Sequence, residues 1–179
     1  DMKILYVASE ATPYAASGGL GDVMGALPKS IASDYPDSEV SVIVPLYDTM
    51  KNEHREQLVK VADLEFRYSW RNTGASVYKL ENSGVNYYFI ENHYYFDRSR
   101  LYGEFDDAER FAFFSTAVIE FMRATGNIPD VLHANDWQTA LVPVYYDIFY
   151  RYQSGYEDIK TVFTIHNIQY QGQYGLDLI

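Results

Sequence analysis

The chain has no cysteine in its 179 residues. That excludes disulfide staples, a thiolate nucleophile and thiolate ligation of a metal, and it makes a reducing cytoplasm the expected compartment. Positive charge is scarce too. Only 14 Lys and Arg face 25 Asp and Glu, for a formal net charge of −11. A surface of that sign argues against nucleic acid or an anionic membrane as a general partner. An anionic ligand then depends on local donors, not on the overall field. No apolar run approaches the ~20 residues of a membrane span. The opening Met2-Lys3-Ile4-Leu5-Tyr6-Val7 is too short for a secretory core segment and runs directly into a strand. Repeats, low-complexity tracts and flexible linkers are missing as well. No His or carboxylate pair has metal-ligand spacing, so no metal is expected.

What is present is ample apolar material, 47% of the residues, enough for one domain with its own core. Aromatics are abundant, with 18 Tyr and 10 Phe. Either they fill an aromatic-rich core, or tyrosines lie on faces that meet sugar rings or a partner domain, where an apolar body and a polar tip both help.

Lys3 to Ala8 reads as a first strand and Val40 to Val44 as a second. Between them, Gly19 to about Ser33 carries Leu20, Val23, Leu27 and Ile31 at the spacing of a helix face. Pro28 predicts a kink or a split there. This is the order of a βαβ unit. A short helix over His54 to Lys60 precedes three strands, Val61 to Trp70, Ala75 to Leu80 and Val85 to Glu91, read as a meander or hairpin inserted in or appended to the α/β core. Asn92 to Phe105 is a polar, aromatic loop long enough to carry function. Asp106-x-x-Glu109 predicts a capping box opening a helix. Its buried stripe is Phe111, Phe114, Val118 and Phe121, its solvent stripe Glu109, Thr116, Glu120 and Arg123, and Gly126 is its stop. Val131 to His133 reads as a short strand. Asn135-x-x-Gln138 predicts a cap for a helix to about Gln153, kinked at Pro143. Thr161 to Ile165 reads as a buried strand. The expected class is α/β, a Rossmann-like parallel sheet flanked by helices with an inserted β-meander or hairpin.

Three polar clusters each follow a strand, where ligands bind in open α/β sheets. They are Ser17-Gly18-Gly19-Leu20-Gly21-Asp22, His133-Ala134-Asn135-Asp136-Trp137-Gln138-Thr139, and Thr164-Ile165-His166-Asn167 with Tyr170-Gln171-Gly172. Gly18 and Gly19 at a helix start let a ligand approach backbone N–H groups, and the helix dipole favours an anion there. Gly19-x-Gly21 with Gly25 resembles a dinucleotide fingerprint only in part: the loop Ser9 to Gly18 separates it from the strand, and Met24, not Gly25, holds the third glycine position. Asp136 can serve a helix N-terminus with Trp137 in the core, or both can face a ligand. His133 reads as a packed histidine, and His54 and His93 as surface or loop residues. His166, an orientable imidazole at a strand end, can donate a hydrogen bond or polarise a substrate oxygen.

Taken together, these segments resemble the bacterial glycogen synthase and plant starch synthase family. S-E-A-T-P-Y-A-A-S-G-G-L-G-D-V-M-G-A-L-P is similar to the family's S-E-x-x-P-x-x-K-x-G-G-L-x-D-V-x-x-x-L-P. Tyr95-Phe96-Asp97-Arg98 through Leu101-Tyr102-Gly103 is similar to its acceptor-side loop, and Arg110-Phe111 with Phe114 to its R-F-x-x-F helix. Pro129-Asp130-Val131-Leu132-His133 through Asp136-Trp137-Gln138-Thr139 is similar to P-D-x-x-H-x-H-D-W-x-T, and T-I-H-N-I-Q-Y-Q-G follows.

The resemblance implies a retaining glucosyltransferase of GT-B architecture, two Rossmann-like domains facing across a cleft. It would move glucose from ADP-glucose to the non-reducing end of an α-1,4-glucan, with no metal and no carried cofactor. Residues 1–179 would be the N-terminal, acceptor-side domain. The C-terminal nucleotide-binding domain would be absent, because the sequence stops within a functional-looking loop. By the same resemblance, Gly18 and Gly19 approach the donor diphosphate and Asp22 helps hold the donor. His166 hydrogen-bonds the donor glucose at the reacting centre. Asp136, Trp137 and Asn167 line the sugar cleft, and Phe96, Arg98 and Tyr102 lie in the loop facing the acceptor. Two positions depart from the pattern. The family's lysine falls on Ala16, removing a cation near the donor, and its second histidine falls on Asn135. The alternatives are a stand-alone α-glucan-binding module, a relative using another nucleotide sugar, or an NAD-type oxidoreductase domain binding its cofactor at Gly18 to Gly25.

Overall fold

The computed structural model describes residues 1–69 and 71–166. These form a single sheet of seven strands in the order β3-β4-β5-β2-β1-β6-β7. β1 (Lys3–Val7), β2 (Glu39–Pro45), β5 (Val85–Glu91), β6 (Val131–Asn135) and β7 (Lys160–Thr164) run parallel, and β3 (Val59–Tyr68) and β4 (Arg71–Asn82) extend the β5 side antiparallel. The predicted meander is therefore no separate insertion. Its last strand pairs in parallel with β2 and continues the main sheet. The β4–β5 hairpin closes through Ser83 and Gly84, both at positive φ (53° and 79°), the handedness that matches strand twist in a two-residue turn.

Period-two alternation sorts the sheet into two faces. Leu5 and Val7 of β1 join Ile43 of β2 in the cluster beneath α4 (Asp107–Thr125). Tyr6 and Ala8 join Val40, Val42 and Val44 in the cluster beneath α1 (Gly19–Asp34). Among the tyrosines, Tyr14, Tyr47, Tyr87 and Tyr95 are core residues, so much of the aromatic excess is packing. Phe111, Phe113, Phe114 and Phe121 of α4 are almost wholly buried, each stabilising the fold by about 1.5–3 kcal/mol.

Several local expectations give way to packing, and the short helix expected over His54 to Lys60 is a single turn, α2 (Asn52–Arg55). α1 runs unbroken through the buried Pro28. One backbone hydrogen bond is lost there, but Leu20, Val23, Met24 and Ile31 hold the helix against the sheet. The capping box at Asp106 does not form, because its carboxylate accepts two hydrogen bonds from Arg98 instead. Asn135 is not a helix cap but the last residue of β6. The helix expected to Gln153 is three short segments of different pitch: a 3-10 turn at Trp137–Thr139, α5 (Leu141–Tyr145) and a π turn at Tyr146–Tyr150. β7 is not buried. It is an edge strand among the described residues, and Val162, Phe163 and Ile165 are each more than 40% exposed. No helix among the described residues is long and apolar enough to cross a membrane.

Candidate functional site

β1 feeds α1 and then β2 on one side, whereas β6 and β7 lie on the other. The carboxyl ends of β1 and β6 thus flank a topological switch point, the place where open α/β sheets bind ligands. A cleft of about 730 Å³ opens there. Its lining draws on three separate chain segments: Glu10, Ser17, Gly18 and Gly19 after β1; Asp136, Trp137 and Gln138 after β6; and His166 after β7, with Tyr102 closing one side.

Glu10 organises the first segment, and the sequence reading passed it over within S-E-x-x-P. It is 2% exposed. Its Oε1 accepts from the backbone N–H of Gly18 (3.2 Å) and of Gly21 (2.8 Å), and its Oε2 from Ser17 Oγ (2.8 Å) and Tyr102 Oη (2.7 Å). Since Tyr102 spends its one hydrogen on Glu10, Ser9 Oγ must donate to Tyr102, at 2.5 Å. Burial, with the nearby Tyr47 and Glu10, pushes the Tyr102 phenol well above its ordinary range, so it stays protonated and able to donate. A methyl group at Gly21 would stand 3.2 Å from Glu10 Oε1 and 3.0 Å from Ala16 Cβ, so glycine there lets the loop close on the carboxylate.

Glu10 therefore already occupies part of the positive end of α1. Of the N–H groups in the first turn, that of Gly21 is spent, and those of Gly19 and Leu20 have no partner among the described residues. A methyl at Gly19 would meet nothing within 4 Å, and Gly18 has an extended backbone that any residue adopts. Nothing among the described residues demands glycine at 18 or 19. The bare backbone faces the cleft.

On the second segment, Asp136 is the strained residue. It has φ 63° and ψ 178°, a conformation nearly confined to glycine that costs about 1–3 kcal/mol and clusters at functional sites. The strain is held by surrounding bonds. The Asp136 N–H donates to Thr164 O (2.9 Å), the His166 N–H donates to Asp136 Oδ1 (2.8 Å), and the Thr139 N–H donates to Asp136 O (3.2 Å). Trp137 stands edge-on to Phe111, ring centroids 5.5 Å apart, and reaches the cleft half-buried. Gln138, read from sequence only as part of a helix cap, is 8% exposed, and its buried Oε1 has no hydrogen-bond partner among the described residues. A buried acceptor left unpaired costs about 1–3 kcal/mol unless a ligand or water supplies a donor.

His166 sits at the rim, with its Nε2 2.9 Å from Asn135 Oδ1. Asn135 Nδ2 donates to Val7 O (3.2 Å) and His133 O (3.1 Å). Behind it, His133 packs on Tyr6 and pairs with Thr164 Oγ1 at 2.7 Å, as a packed histidine should. Burial, and then the neighbouring His166, push the His133 imidazole below its usual value and keep it neutral.

The structure thus gathers Gly18, Gly19, Tyr102, Asp136, Trp137 and His166 on one cleft. Others stand elsewhere. Asp22 lies outside the lining, in the first turn of α1, where it accepts from Thr12 Oγ1 at 3.4 Å. Phe96, expected to face an acceptor, is fully buried against Tyr47, Phe113 and Phe114, because the short helix α3 (His93–Phe96) turns its ring inward. Arg98 is spent on a two-point pair with Asp106, 3.0 Å on each nitrogen. Burial raises that carboxyl, but Arg98 outweighs it and holds the group below its ordinary value. Ala16 is exposed on the loop before the glycines. Asn167 lies outside the described residues. Among the lining residues there is no Lys or Arg, and among the described residues no three His, Asp or Glu converge as metal ligands.

Comparison with known proteins adds the following. The family described as starch synthase catalytic domain matches residues 3–179. Glycogen synthase of Ligilactobacillus salivarius is 47% identical over 178 residues, 99% of this chain and 37% of that protein. Glycogen synthase of Streptococcus pneumoniae is also 47% identical, over 97% of this chain and 36% of that protein. The chain therefore spans little more than a third of the length of these relatives. Among solved structures, the catalytic domain of starch synthase IV from Arabidopsis thaliana, bound to ADP and acarbose, superimposes with a TM-score of 0.85 at 30% identity, covering 95% of this chain and 35% of that one.

Proposed function

The chain belongs to the starch synthase catalytic domain family, and from that premise we propose that it forms the N-terminal, acceptor-side half of a GT-B glucosyltransferase. The complete protein would transfer glucose from ADP-glucose to the non-reducing end of an α-1,4-glucan with retention at the anomeric carbon. The observation that carries this reading is the convergence of His166, the strained Asp136 and the unspent N–H groups of Gly19 and Leu20 at the switch point of the sheet. A sugar face and a phosphate-seeking helix end lie on the same cleft.

Each residue has a physical part. Gly19 and Leu20 offer backbone N–H groups and the positive end of α1 to the donor diphosphate. His166 hydrogen-bonds the donor glucose beside the reacting carbon. Trp137 presents an aromatic face to a sugar, Gln138 a buried acceptor for a hydroxyl, and Asp136 part of the wall; Asn167 keeps the sugar-binding role that the resemblance implies. Glu10 and Tyr102 hold the loop in register. Phe96 and Arg98 shape the acceptor-side loop from beneath. Electrostatic stabilisation of the departing ADP would dominate the rate. The donor's negative charge cannot be met by this acidic cleft, which has Ala16 where the family has lysine. It has to be met by cationic groups of a second, nucleotide-binding domain. The reaction as proposed uses no metal and no carried cofactor, and the cysteine-free composition suits the cytoplasm.

The test is ADP-glucose-dependent elongation of a maltooligosaccharide by the complete gene product, compared with UDP-glucose. His166→Ala is expected to lower kcat on the order of 10²-fold. An unchanged kcat would defeat the assignment. One observation favours a second reading: a lining with Glu10 and Asp136 but no cation suits a neutral sugar better than an anion. A stand-alone glucan-binding module would bind maltooligosaccharide with no effect of ADP-glucose and no turnover.

A further inference from the structure

We propose that Asn135 fixes the tautomer of His166, so that the ring meets its substrate as a hydrogen-bond acceptor through Nδ1. What this says about substrate rests on the glucosyltransferase reading above. The tautomer itself does not.

The argument begins with a buried amide. Asn135 is 1% exposed at the end of β6. One end of its side chain lies 3.2 Å from Val7 O and 3.1 Å from His133 O. Both are carbonyl oxygens, which only accept. An oxygen in that place would face two oxygens in a buried site, so the NH2 group must be there. Oδ1 is then the end that lies 2.9 Å from His166 Nε2. An amide oxygen only accepts, so Nε2 must carry a hydrogen. In the neutral imidazole the lone pair is then on Nδ1.

The geometry leaves little room to escape this. The Asn135 backbone is clamped at both ends by Thr139 Oγ1, which accepts from the Asn135 N–H (2.7 Å) and donates to the Asn135 carbonyl (2.8 Å). The His166 N–H is held by Asp136 Oδ1 at 2.8 Å. The ring thus has its backbone and one nitrogen fixed by residues of β6 and the turn after it. Nδ1 has no partner among the described residues, and His166 lies on the cleft.

A neutral Nδ1 accepts from an O–H and repels a deprotonated oxygen. His166 in this state selects a sugar hydroxyl over a phosphate oxygen. Asn135 is therefore a positioning residue: it touches no substrate and acts through the ring it orients. It also follows which replacements preserve the device. Asn supplies one donor inward and one acceptor outward. A neutral histidine supplies the same pair. Aspartate supplies two acceptors, one of them against the carbonyls of Val7 and His133, and leucine supplies neither.

The experiment uses the complete gene product with ring-15N histidine, under conditions where the ring is neutral. Two-bond 1H–15N correlations report which nitrogen carries the hydrogen, and His166→Gln identifies the signal by its loss. The expected result is hydrogen on Nε2. A His166 signal with hydrogen on Nδ1 overturns the proposal. In kinetics, Asn135→His should keep kcat within about threefold, whereas Asn135→Leu and Asn135→Asp should lose about tenfold or more, with a smaller change in KM for ADP-glucose. Equal loss in all three, or in none, counts against it. If the leucine variant fails to fold, the wild-type spectrum still decides. The two readings fail separately. Full activity of His166→Ala defeats the functional assignment whatever the tautomer, while an Nδ1–H ring in an enzyme that needs His166 defeats only the role of Asn135.

Discussion

Glu10 shows how much of the cleft rests on a single, almost wholly buried side chain. Its carboxylate takes four hydrogen bonds, two from backbone N–H groups of Gly18 and Gly21 and two from hydroxyls of Ser17 and Tyr102. The two kinds of donor differ in freedom. A hydroxyl can rotate and accept instead, but an amide N–H cannot. Glu10→Gln should therefore cost about 1 kcal/mol, with its oxygen toward the glycines and its NH2 toward the turned hydroxyls. Glu10→Leu should cost more, about 2–3 kcal/mol, since it strands the buried N–H of Gly21 and the part-buried N–H of Gly18. Urea unfolding of the two variants checks the order, and equal costs would show that the carboxylate is not what sets the loop. The same comparison explains why Glu10 is hard to find in the sequence. Its partners lie 7, 8 and 11 residues away and, for Tyr102, 92 away, and no local periodicity marks it.

At the scale of elements, α4 and the loop before it form one unit. Arg110 is wholly buried on the core-facing side of an amphipathic helix. Its guanidinium donates to Tyr95 O (2.7 Å), Leu101 O (3.0 Å) and Asp107 Oδ1 (2.9 Å), and lies over the rings of Phe96 and Phe111. Asp107 in turn accepts the N–H groups of Gly103 and Glu104. The segment 95–107 is thus tied to the helix by charge-assisted bonds, not left as a free loop. Arg110→Leu should destabilise the protein by on the order of 3–5 kcal/mol, because it leaves the buried Asp107 without its counter-charge. It should also loosen Tyr102 and so the cleft wall. Thermal or urea unfolding measures the first effect, and a loss within about 1 kcal/mol would show that the loop holds without the clamp. The R-F-x-x-F spacing was legible in the sequence as a helix face. That its arginine points inward was not, since periodicity places a charged residue on the solvent side.

For the whole molecule, the relevant fact is that an acidic, cation-free cleft sits at the switch point of a chain spanning little more than a third of its relatives. A donor carrying a diphosphate needs positive charge that this chain does not place in the lining. The 179-residue chain alone should therefore add no glucose from ADP-glucose to a glucan above a His166→Ala control, while the complete gene product does. Turnover by the short chain would show that the residues of this one domain suffice, and would overturn the division of labour proposed here.

The sequence by itself determined the α/β class, the order of most strands, the central helix, and the three polar clusters at strand ends, because these follow from local periodicity and from the carboxyl-end rule of parallel sheets. It also determined that His166, Asp136 and the Gly18-Gly19 pair belong together, through segments that resemble one family in order. Only the tertiary structure decided which polar groups are already spent. It turned Phe96 into the core, gave Arg98 to Asp106, left Asp22 outside the cleft, put Glu10 under the glycine loop, and aimed the amide of Asn135 at His166. The physical reason is that packing and hydrogen-bond partners remote in sequence decide which side chains are left for a ligand, and local patterns carry no record of that pairing.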